Sequence, residues 1–269
     1  MPKTTVKDWL SQAIQQLDNA GVSSPRLDAL IVLESILKKD RSVLIANDDA
    51  LLKTDQLNAA NSMLTRRAER IPLAYILGER EFYGLSFNVD EQVLVPRPET
   101  EMLVEYASKN TKQSARVLEL GTGSGCISIA LSHVRPDLKI NATDVSPGAL
   151  RVAKSNNLTL GTSVKFTRSD LFKSLPAKQY DAVLANLPYV PEPARRQPEI
   201  THEPDIALYG GEDGLDFYRS FFAKLEDYLH PNGFSVIEFS PTQFAAVRSE
   251  FTKYLFTPVS EYIYLVTPR

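Results

Sequence analysis

Three alternating glycines near the middle of the chain form the stretch where the backbone could contact a ligand. Residues 117–120 predict a short buried strand, and residues 121–125 then read Gly-Thr-Gly-Ser-Gly before an apolar helical face. Glycine has no Cβ, so the main chain of such a turn can approach a bound molecule, and the helix N-terminus behind it offers free N–H groups. A turn without a ligand would need only one glycine, so the stretch predicts a cofactor site.

The glycine spacing narrows the class of cofactor. The dinucleotide fingerprint Gly-x-Gly-x-x-Gly would need a glycine where Cys126 stands, and the phosphate loop of nucleotide hydrolases would need a lysine that this stretch lacks. The chain has instead Glu119 before the glycines and a second acidic residue, Asp144, after the next predicted strand. This pattern resembles the first motif of S-adenosylmethionine-dependent methyltransferases of doubly wound fold. The resemblance implies that the glycines hold the methionine part of the cofactor and that Asp144 holds its ribose.

A second stretch, Asn186-Leu187-Pro188-Tyr189, follows an apolar strand at residues 180–185. Taken alone it fits an ordinary turn, because Asn and Pro form turns and Tyr often covers a core. After a cofactor loop it resembles the Asn-Pro-Pro-Tyr signature of methyltransferases that act on amide or exocyclic amino nitrogen. The Asn186 side-chain oxygen and the Leu187 carbonyl would accept the two hydrogens of a planar NH₂. Tyr189 would stack on that group and Pro188 would fix the turn, so positioning would supply much of the catalysis.

The elements that must position these residues alternate from residue 115 onward. Strands are predicted at 115–120, 138–143, 163–167, 180–185, 233–239 and near 261–266, and helices at 125–134, 146–157, 214–229 and 242–253. This alternation predicts a doubly wound, mostly parallel α/β sheet covered on both faces. Ligands of such sheets sit at the carboxyl ends of the strands, so residues 119–125, Asp144, Asp170 and Asn186 should converge in one cleft.

Two segments precede this sheet. Residues 1–78 carry apolar side chains at helical spacing and predict a small all-helical bundle. Residues 79–96 alternate aromatic side chains around Gly84 and predict a β-hairpin linker between the domains. Residues 97–269 then form the methyltransferase domain.

Charge and cysteine content exclude several classes of protein. The net charge of −3 disfavours a broadly basic nucleic-acid-binding surface. Arg66, Arg67 and Arg70 could bind nucleic acid, but we favour a solvated helix end where they are partners of the helix dipole. Cys126 is the only cysteine, which excludes an intrachain disulfide. The first residues lack a signal peptide and no apolar run is long enough to span a membrane, so we expect a cytoplasmic protein.

With both motifs in place, the chain resembles the HemK-type glutamine methyltransferases, which methylate the glutamine amide in the Gly-Gly-Gln tripeptide of peptide chain release factors. The match takes in the helical domain, the hairpin, and residues 96–101, 119–125, 144–146, 169–172, 186–189, 203–204 and 207–216. The resemblance implies a class I methyltransferase sheet of seven strands and a release factor recognised by residues 1–78. It also implies S-adenosylmethionine as cofactor and S-adenosylhomocysteine as product. The three histidines show no metal-ligand spacing, so no metal site is predicted, and we expect a monomer that does not require nucleic acid.

The resemblance carries roles over to single residues. The cofactor residues would be Glu119, Gly121, Thr122, Gly123, Ser124, Gly125, Asp144, Val145, Asp170, Leu171 and Asn186, with Leu171 beside the adenine. The catalytic residues would be Asn186, Leu187, Pro188 and Tyr189, and these would bind the substrate together with Arg97 and Glu99. Residues 97–99 fit the start of a helix equally well. The polar, broken loop 190–213 would face the substrate.

Two positions depart from the family pattern. Leu187 stands where the family has proline, which keeps the backbone acceptor but removes rigidity. Ser240 stands where the family usually has a glycine after a Glu-Ile pair, here Glu238-Phe239, which affects the local backbone and not the site.

Three other functions remain open. An adenine amino group could enter the same pocket, so an adenine-N6 methyltransferase acting on RNA or DNA is the main alternative. The acidic balance and the helical domain disfavour it. The absent third glycine disfavours a nicotinamide oxidoreductase. The intact cofactor residues disfavour a binding protein that lost turnover through Leu187.

Overall fold

The computed structural model describes residues 4–176, 179–192 and 198–269. Within these ranges the contacts divide the chain into two units, one of residues 4–78 with 198–202 and one of the remaining described residues from 79 onward. Residues 193–197 of the loop 190–213, for which the sequence predicts a position facing the substrate, lie outside the described part. No helix in the described ranges is long and apolar enough to cross a membrane.

The smaller unit is helical, as predicted. Its helices are α1 (Val6–Asn19), α2 (Pro25–Leu37), α3 (Arg41–Ala46), α4 (Thr54–Ala68) and α5 (Leu73–Leu77). Thr5 begins α1 with a capping box in which its side chain accepts from the Asp8 N–H and Asp8 accepts in return. The apolar faces pack into one core around Trp9, whose indole N–H donates to the Asn61 side-chain oxygen at 2.8 Å. The helices are therefore held by burial of their apolar faces, since isolated helices of this length are marginal.

An ion-pair cluster lies inside this unit. Arg67 is 5% exposed and its guanidinium contacts the Asp28 carboxylate at 2.7 Å and Glu199 at 3.0 Å. Arg70 contacts the second oxygen of Glu199 at 2.7 Å. The prediction of a solvated face is therefore wrong for Arg67. Its acidic partners lie 39 and 132 residues away in sequence, so the local pattern at the end of α4 could not reveal them.

The larger unit begins with an antiparallel hairpin of β1 (Glu79–Phe82) and β2 (Leu85–Asn88). The next elements are α6 (Glu101–Asn110), β3 (Arg116–Leu120), α7 (Cys126–Val134), β4 (Lys139–Asp144), α8 (Pro147–Thr159), β5 (Lys165–Arg168) and β6 (Tyr180–Asn186). The last are α9 (Asp216–Phe222), α10 (Leu225–Tyr228), β7 (Leu229–Glu238), α11 (Phe244–Glu250), β8 (Tyr254–Pro258) and β9 (Ile263–Pro268).

Seven strands form one sheet in the order β5-β4-β3-β6-β7-β9-β8. The first five run parallel, and β9 is antiparallel to both of its neighbours. One apolar core packs α6, α7 and the hairpin on one face, and a second packs α9 and α11 on the other. The predicted doubly wound, mostly parallel sheet is thus confirmed. The strand order reverses at β3, between β4 and β6, which is the point where such sheets bind ligands.

Two details of the larger unit differ from the prediction. The edge strand β8 was not predicted, because it pairs on one side only and its residues are largely exposed, so it lacks a clear apolar alternation. The predicted helix at 214–229 is two short helices with a break at residues 223–224. Leu229 already pairs with Tyr180 in the sheet, so the chain must leave the helix before that residue.

The hairpin belongs to the larger unit through Asn156 of α8. The Asn156 side chain accepts from the Asn88 N–H at 2.8 Å and donates to the Asn88 carbonyl at 3.0 Å. It also donates to the Ser124 carbonyl at 2.9 Å. One buried amide therefore joins the hairpin to the glycine turn that follows β3.

Candidate functional site

The glycine turn after β3 has a backbone that only glycine adopts without strain. Gly121, Gly123 and Gly125 have φ values of +70°, +55° and +84°, in the left-handed region. A Cβ on Gly125 would lie 2.7 Å from Ile129 Cδ1 and 3.2 Å from the Ala153 Cβ, so the third glycine lets α7 and α8 pack together. The other two lie on the wall of the cavity described below, where a Cβ on Gly123 would meet no atom within 4 Å and one on Gly121 would contact Leu187 Cδ2 at 3.3 Å.

Glu119 supports this turn from behind. It is fully buried, and its Oε2 accepts from the Thr122 hydroxyl at 2.7 Å and from the Ser128 N–H at 3.2 Å. Its Oε1 has no hydrogen-bond partner among the described residues. Burial raises the pKa of this carboxyl to about 7, against the opposing hydrogen bonds from Thr122 and Ser128. Glu119 therefore shapes the loop from inside the protein and does not line the cavity.

Asp144, at the end of β4, holds the glycine turn from the side. Its Oδ2 accepts from the Gly123 N–H at 2.9 Å and its Oδ1 from the Ser146 N–H at 2.8 Å. Burial raises the pKa of Asp144, and these backbone donors oppose that shift. Each carboxylate oxygen keeps a further lone pair, so the group can also accept from ligand hydroxyls.

A cavity opens at the carboxyl ends of β3, β4 and β6. Of the residues that the sequence assigned to the site, those on its wall are Arg97, Gly121, Thr122, Gly123, Ser124, Asp144, Val145, Asp170, Leu171, Asn186, Leu187 and Pro188. Glu99, Glu119, Gly125 and Tyr189 do not lie on this wall. Glu99 is exposed at the start of the short helix before α6. The predicted convergence of strand ends thus accounts for most of the assigned residues on the cavity wall. It does not account for the residues that support the wall.

The sequence reading missed several residues on the wall. They are Gln92, Val93, Leu94, Pro96, Thr100, Cys126, Ile127, Ser146, Ala149, Ser169, Ile206, Ala207 and Phe217. Many lie on neither a strand end nor a glycine loop, and only the folded chain brings them to the cavity. The side chain of Thr100 is the one with chemical consequence, because it contacts Asn186.

The Asn186 side chain belongs to a buried chain of hydrogen bonds. Its Nδ2 lies 3.2 Å from Thr100 Oγ1, and the Thr100 hydroxyl donates to Glu238 Oε2 at 2.6 Å. The Tyr189 hydroxyl donates to Glu238 Oε1 at 3.2 Å. Asn186 and Glu238 are register partners on β6 and β7, which explains how residues 52 apart meet at the site.

Tyr189 points into the protein rather than onto the cavity wall. Burial and the neighbouring Glu238 raise the pKa of its phenol. Its carbonyl accepts from Gln243 Nε2 at 3.0 Å. Stacking of Tyr189 on a substrate stays a prediction, and what the structure shows is a phenol hydrogen-bonded to Glu238.

A glycine segment packs behind the turn at Asn186. A Cβ on Gly210 would lie 2.5 Å from the Pro188 carbonyl, and one on Gly214 would overlap the Tyr189 carbonyl. The Val190 N–H donates to the Leu208 carbonyl at 2.9 Å, and the Gly210 N–H donates back to Val190 at 3.0 Å. These close backbone contacts fix the turn that carries the candidate substrate acceptors.

Arg97 is held at the cavity by Glu203. Its guanidinium contacts Glu203 Oε1 at 2.6 Å, and the Val95 N–H donates to Glu203 Oε2 at 3.0 Å. The Glu203 side chain is 2% exposed, whereas that of Arg97 is 34% exposed. Arg97 therefore has donors left for a ligand, and the buried carboxylate keeps it in place.

The chain matches two protein-family models. Residues 8–78 match the PrmC N-terminal domain and residues 98–203 match the methyltransferase small domain. A release factor glutamine methyltransferase of Geobacter sulfurreducens is 37% identical over 252 residues, which cover 93% of this chain and 89% of the relative. A protein of the same description from Deinococcus radiodurans is 36% identical over 249 residues, covering 91% and 89%.

Solved structures share the fold at lower identity. The Thermus thermophilus 16S rRNA N2 G1207 methyltransferase, in complex with AdoMet and guanosine, matches with a TM-score of 0.52 and 16% identity. The match covers 71% of this chain and 49% of that one. At this identity the likeness concerns the fold alone.

Proposed function

Because this chain belongs to the family of release factor glutamine methyltransferases, we propose that it transfers a methyl group from S-adenosylmethionine to a glutamine side-chain amide of a peptide chain release factor. The observation that carries the proposal is the position of Asn186. Its side chain lies on the cavity wall beside the glycine turn, with Nδ2 engaged by Thr100. The side-chain oxygen is then the end available to a substrate NH₂.

The residues of the cavity fit S-adenosylmethionine. The bare backbone of the glycine turn suits the methionine part, and the Asp144 carboxylate has acceptor capacity for the ribose hydroxyls. The buried Ser124 hydroxyl lies on the cavity wall beside the Cys126 thiol and can serve a ligand. Leu171, Phe217 and Val145 offer apolar wall for the adenine. When bound, the cofactor supplies an electrophilic methyl group on a sulfonium.

The chain's part in the reaction is to hold the nitrogen. An amide NH₂ is a weak nucleophile because its lone pair is delocalised into the carbonyl. The Asn186 Oδ1 and the Leu187 carbonyl accept its two hydrogens and keep the nitrogen in one orientation. The proton that the nitrogen must lose can leave to water after transfer, so no strong base is required.

The packing of the Leu187 side chain stabilises the turn at the position where the family has a rigid proline. The residue is 2% exposed, and its Cδ2 lies 3.3 Å from where a Cβ on Gly121 would stand. The Leu187 side chain therefore packs the turn of residues 186–189 directly against the glycine turn of residues 121–125. This contact supports turnover with leucine in place of the family's proline.

The remaining assignments concern recognition of the release factor, the oligomeric state and the cellular location. We assign recognition of the release factor to residues 1–78, and we propose a monomer that acts in the cytoplasm without nucleic acid. The roles of Glu99 and Tyr189 toward the substrate stay predictions.

A transfer assay tests the proposal. The full chain is incubated with methyl-labelled S-adenosylmethionine and either a release factor or total RNA, and the labelled residue is located by mass spectrometry. Label on the glutamine of the release factor is the expected result. Label on adenine in RNA, or on neither substrate, would contradict the proposal. A release factor with that glutamine replaced by Asn is the matched control and should stay unlabelled.

A further inference from the structure

The groups that hydrogen-bond to the Asn186 side chain lie outside the turn of residues 186–189. Thr100 lies at the start of α6 and is 2% exposed, and Glu238 ends β7 and is also 2% exposed. The 2.6 Å contact between the Thr100 hydroxyl and Glu238 Oε2 is short for a bond between two oxygens, as expected when the acceptor is charged. Thr100 lies on the cavity wall, whereas Glu238 lies behind it.

The single hydroxyl proton of Thr100 decides which end of Asn186 it can meet. The Thr100 hydroxyl donates to Glu238 Oε2 at 2.6 Å, so its single proton is committed to that carboxyl group. The Thr100 oxygen can then only accept a further hydrogen bond. Asn186 must therefore offer its NH₂ to Thr100, 3.2 Å away, and turn its oxygen toward the cavity.

The surroundings of Glu238 keep its acceptor character. Its Oε1 accepts from the Tyr189 hydroxyl, and its main-chain carbonyl accepts from the Tyr218 hydroxyl. The other charged or titratable groups that act on it are Glu99 and Cys126. Burial raises the pKa of Glu238, and the hydrogen bonds from Thr100, Tyr189 and Asn186 oppose that shift. Hydroxyl and amide donors, rather than a cation, thus surround this carboxyl group.

We propose that Thr100 and Glu238 are positioning residues that select the orientation of the Asn186 amide in which its oxygen faces the substrate nitrogen. This inference rests on the proposed function for its consequence in turnover. In the opposite orientation an NH₂ of Asn186 would face the NH₂ of the substrate, and two donors would oppose each other. The sequence could not show this, because Thr100 lies 86 residues from Asn186 and Glu238 lies 138 from Thr100.

The first experiment removes only the hydroxyl of Thr100. Thr100→Val keeps the shape of the side chain and should lower kcat by roughly 10–100-fold, the range for loss of an outer partner that orients a residue of the site. The KM for S-adenosylmethionine should change by less than about 3-fold, because Thr100 does not hold the glycine turn. Thr100→Ser, which keeps the hydroxyl, should restore most of kcat. Failure of serine to rescue would overturn the inference.

Thr111 provides a matched control. It is also buried, and its hydroxyl has no hydrogen-bond partner among the described residues. Thr111→Val makes the same atomic change near the other end of α6 and should leave kcat unchanged. A loss of kcat equal to that of Thr100→Val would mean that removal of any buried threonine hydroxyl disturbs the enzyme, and would overturn the inference.

A second readout does not depend on the substrate. The side-chain NH₂ resonances of ¹⁵N-labelled protein that disappear in Asn186→Ala belong to Asn186. Their shift and slow hydrogen exchange should be lost in Thr100→Val and in Glu238→Gln, and retained in Thr100→Ser. Unchanged Asn186 resonances in Thr100→Val would overturn the inference even if kcat fell. If the wild-type chain methylated no release factor, the proposed function would fail, while this measurement would still decide the orientation of the amide.

Discussion

Two carboxylates, one in each unit of the molecule, have opposite surroundings. Glu199 in the helical unit lies between the guanidinium groups of Arg67 and Arg70. Burial alone would raise its pKa, but the hydrogen bonds from the two arginines lower it to about 2. Glu238 in the larger unit receives hydrogen bonds from Thr100 and Tyr189 instead, and its pKa is raised.

The difference shows what each arrangement provides. A carboxylate between cations is held as a charge, and breaking the cluster leaves a buried ion without a partner. A carboxylate among neutral donors is less stable, but it fixes the direction of every hydrogen bond that reaches it. The helical unit therefore uses its carboxylate for stability, and the site uses its carboxylate for orientation. Glu119 is likewise buried among neutral donors, and it supports the glycine turn through the direction of its hydrogen bonds.

Breaking the ion cluster should give the largest change in stability. Arg67→Met keeps much of the side-chain volume but leaves the Asp28 carboxylate buried without its cation. We expect a loss of about 3–5 kcal/mol, measured by thermal unfolding and by hydrogen exchange in α2 and α4. Arg66→Met, on the exposed side of the same helix, is the control and should stay within about 0.5 kcal/mol of wild type. Equal losses of stability in Arg67→Met and Arg66→Met would show that the ion pair of Arg67 with Asp28 does not stabilise the helical unit.

Removing the substrate acceptor should affect turnover and not stability. Asn186→Ala should lower kcat about 10²–10³-fold, as loss of one positioned polar group in a site does. Calorimetric titration should find S-adenosylmethionine binding within about 3-fold of wild type, because the glycine turn and Asp144 remain. Retained turnover would end the assignment of Asn186, and a parallel loss of cofactor affinity would assign it to cofactor binding instead.

Neutralising Glu119 should stabilise the protein. Its pKa is raised to about 7 in the fold, so the folded state binds the proton more tightly than the unfolded chain and wild-type stability should rise as pH falls from about 7 toward 4.5. Glu119→Gln keeps an acceptor for Thr122 and removes the buried charge. We expect a gain on the order of 1–3 kcal/mol at pH 8 that shrinks toward pH 5, measured by denaturant unfolding. A variant less stable than wild type at pH 8 would show that Glu119 has a stabilising partner.

Acid should act on Glu199 with the opposite sign. Its pKa is lowered in the fold, so its contribution is complete above the ordinary pKa of about 4.5 and is lost as pH falls toward about 2. Solvent reaches this side chain, so we expect only about 1 kcal/mol. Glu199→Gln should flatten this part of the profile for the helical unit. Lys109→Ala, which breaks the exposed pair with Glu105, should leave the profile unchanged.

The sequence allowed the main elements to be predicted because their signals are local. Three glycines after an apolar strand, a carboxylate after the next strand and Asn-Leu-Pro-Tyr after a third are each contained in a few residues. Parallel strands bring their carboxyl ends to one edge, so the convergence of Gly121, Asp144 and Asn186 followed from topology alone. The edge strand β8 escaped prediction because it pairs on one side only and carries little apolar alternation.

By itself the sequence determined the mostly parallel sheet and the glycine turn, since these depend on periodicity and on backbone that particular residues adopt, and it supplied Asn186 and Leu187 as candidate substrate acceptors. Only the tertiary structure decided that Arg67 is buried, that Glu119 stands behind the turn, and that Asn186, Thr100 and Glu238 meet in one chain of hydrogen bonds. The physical reason is that a hydrogen bond or an ion pair depends on distance in space. Partners that lie tens of residues apart along the chain meet only once the strands and helices have packed.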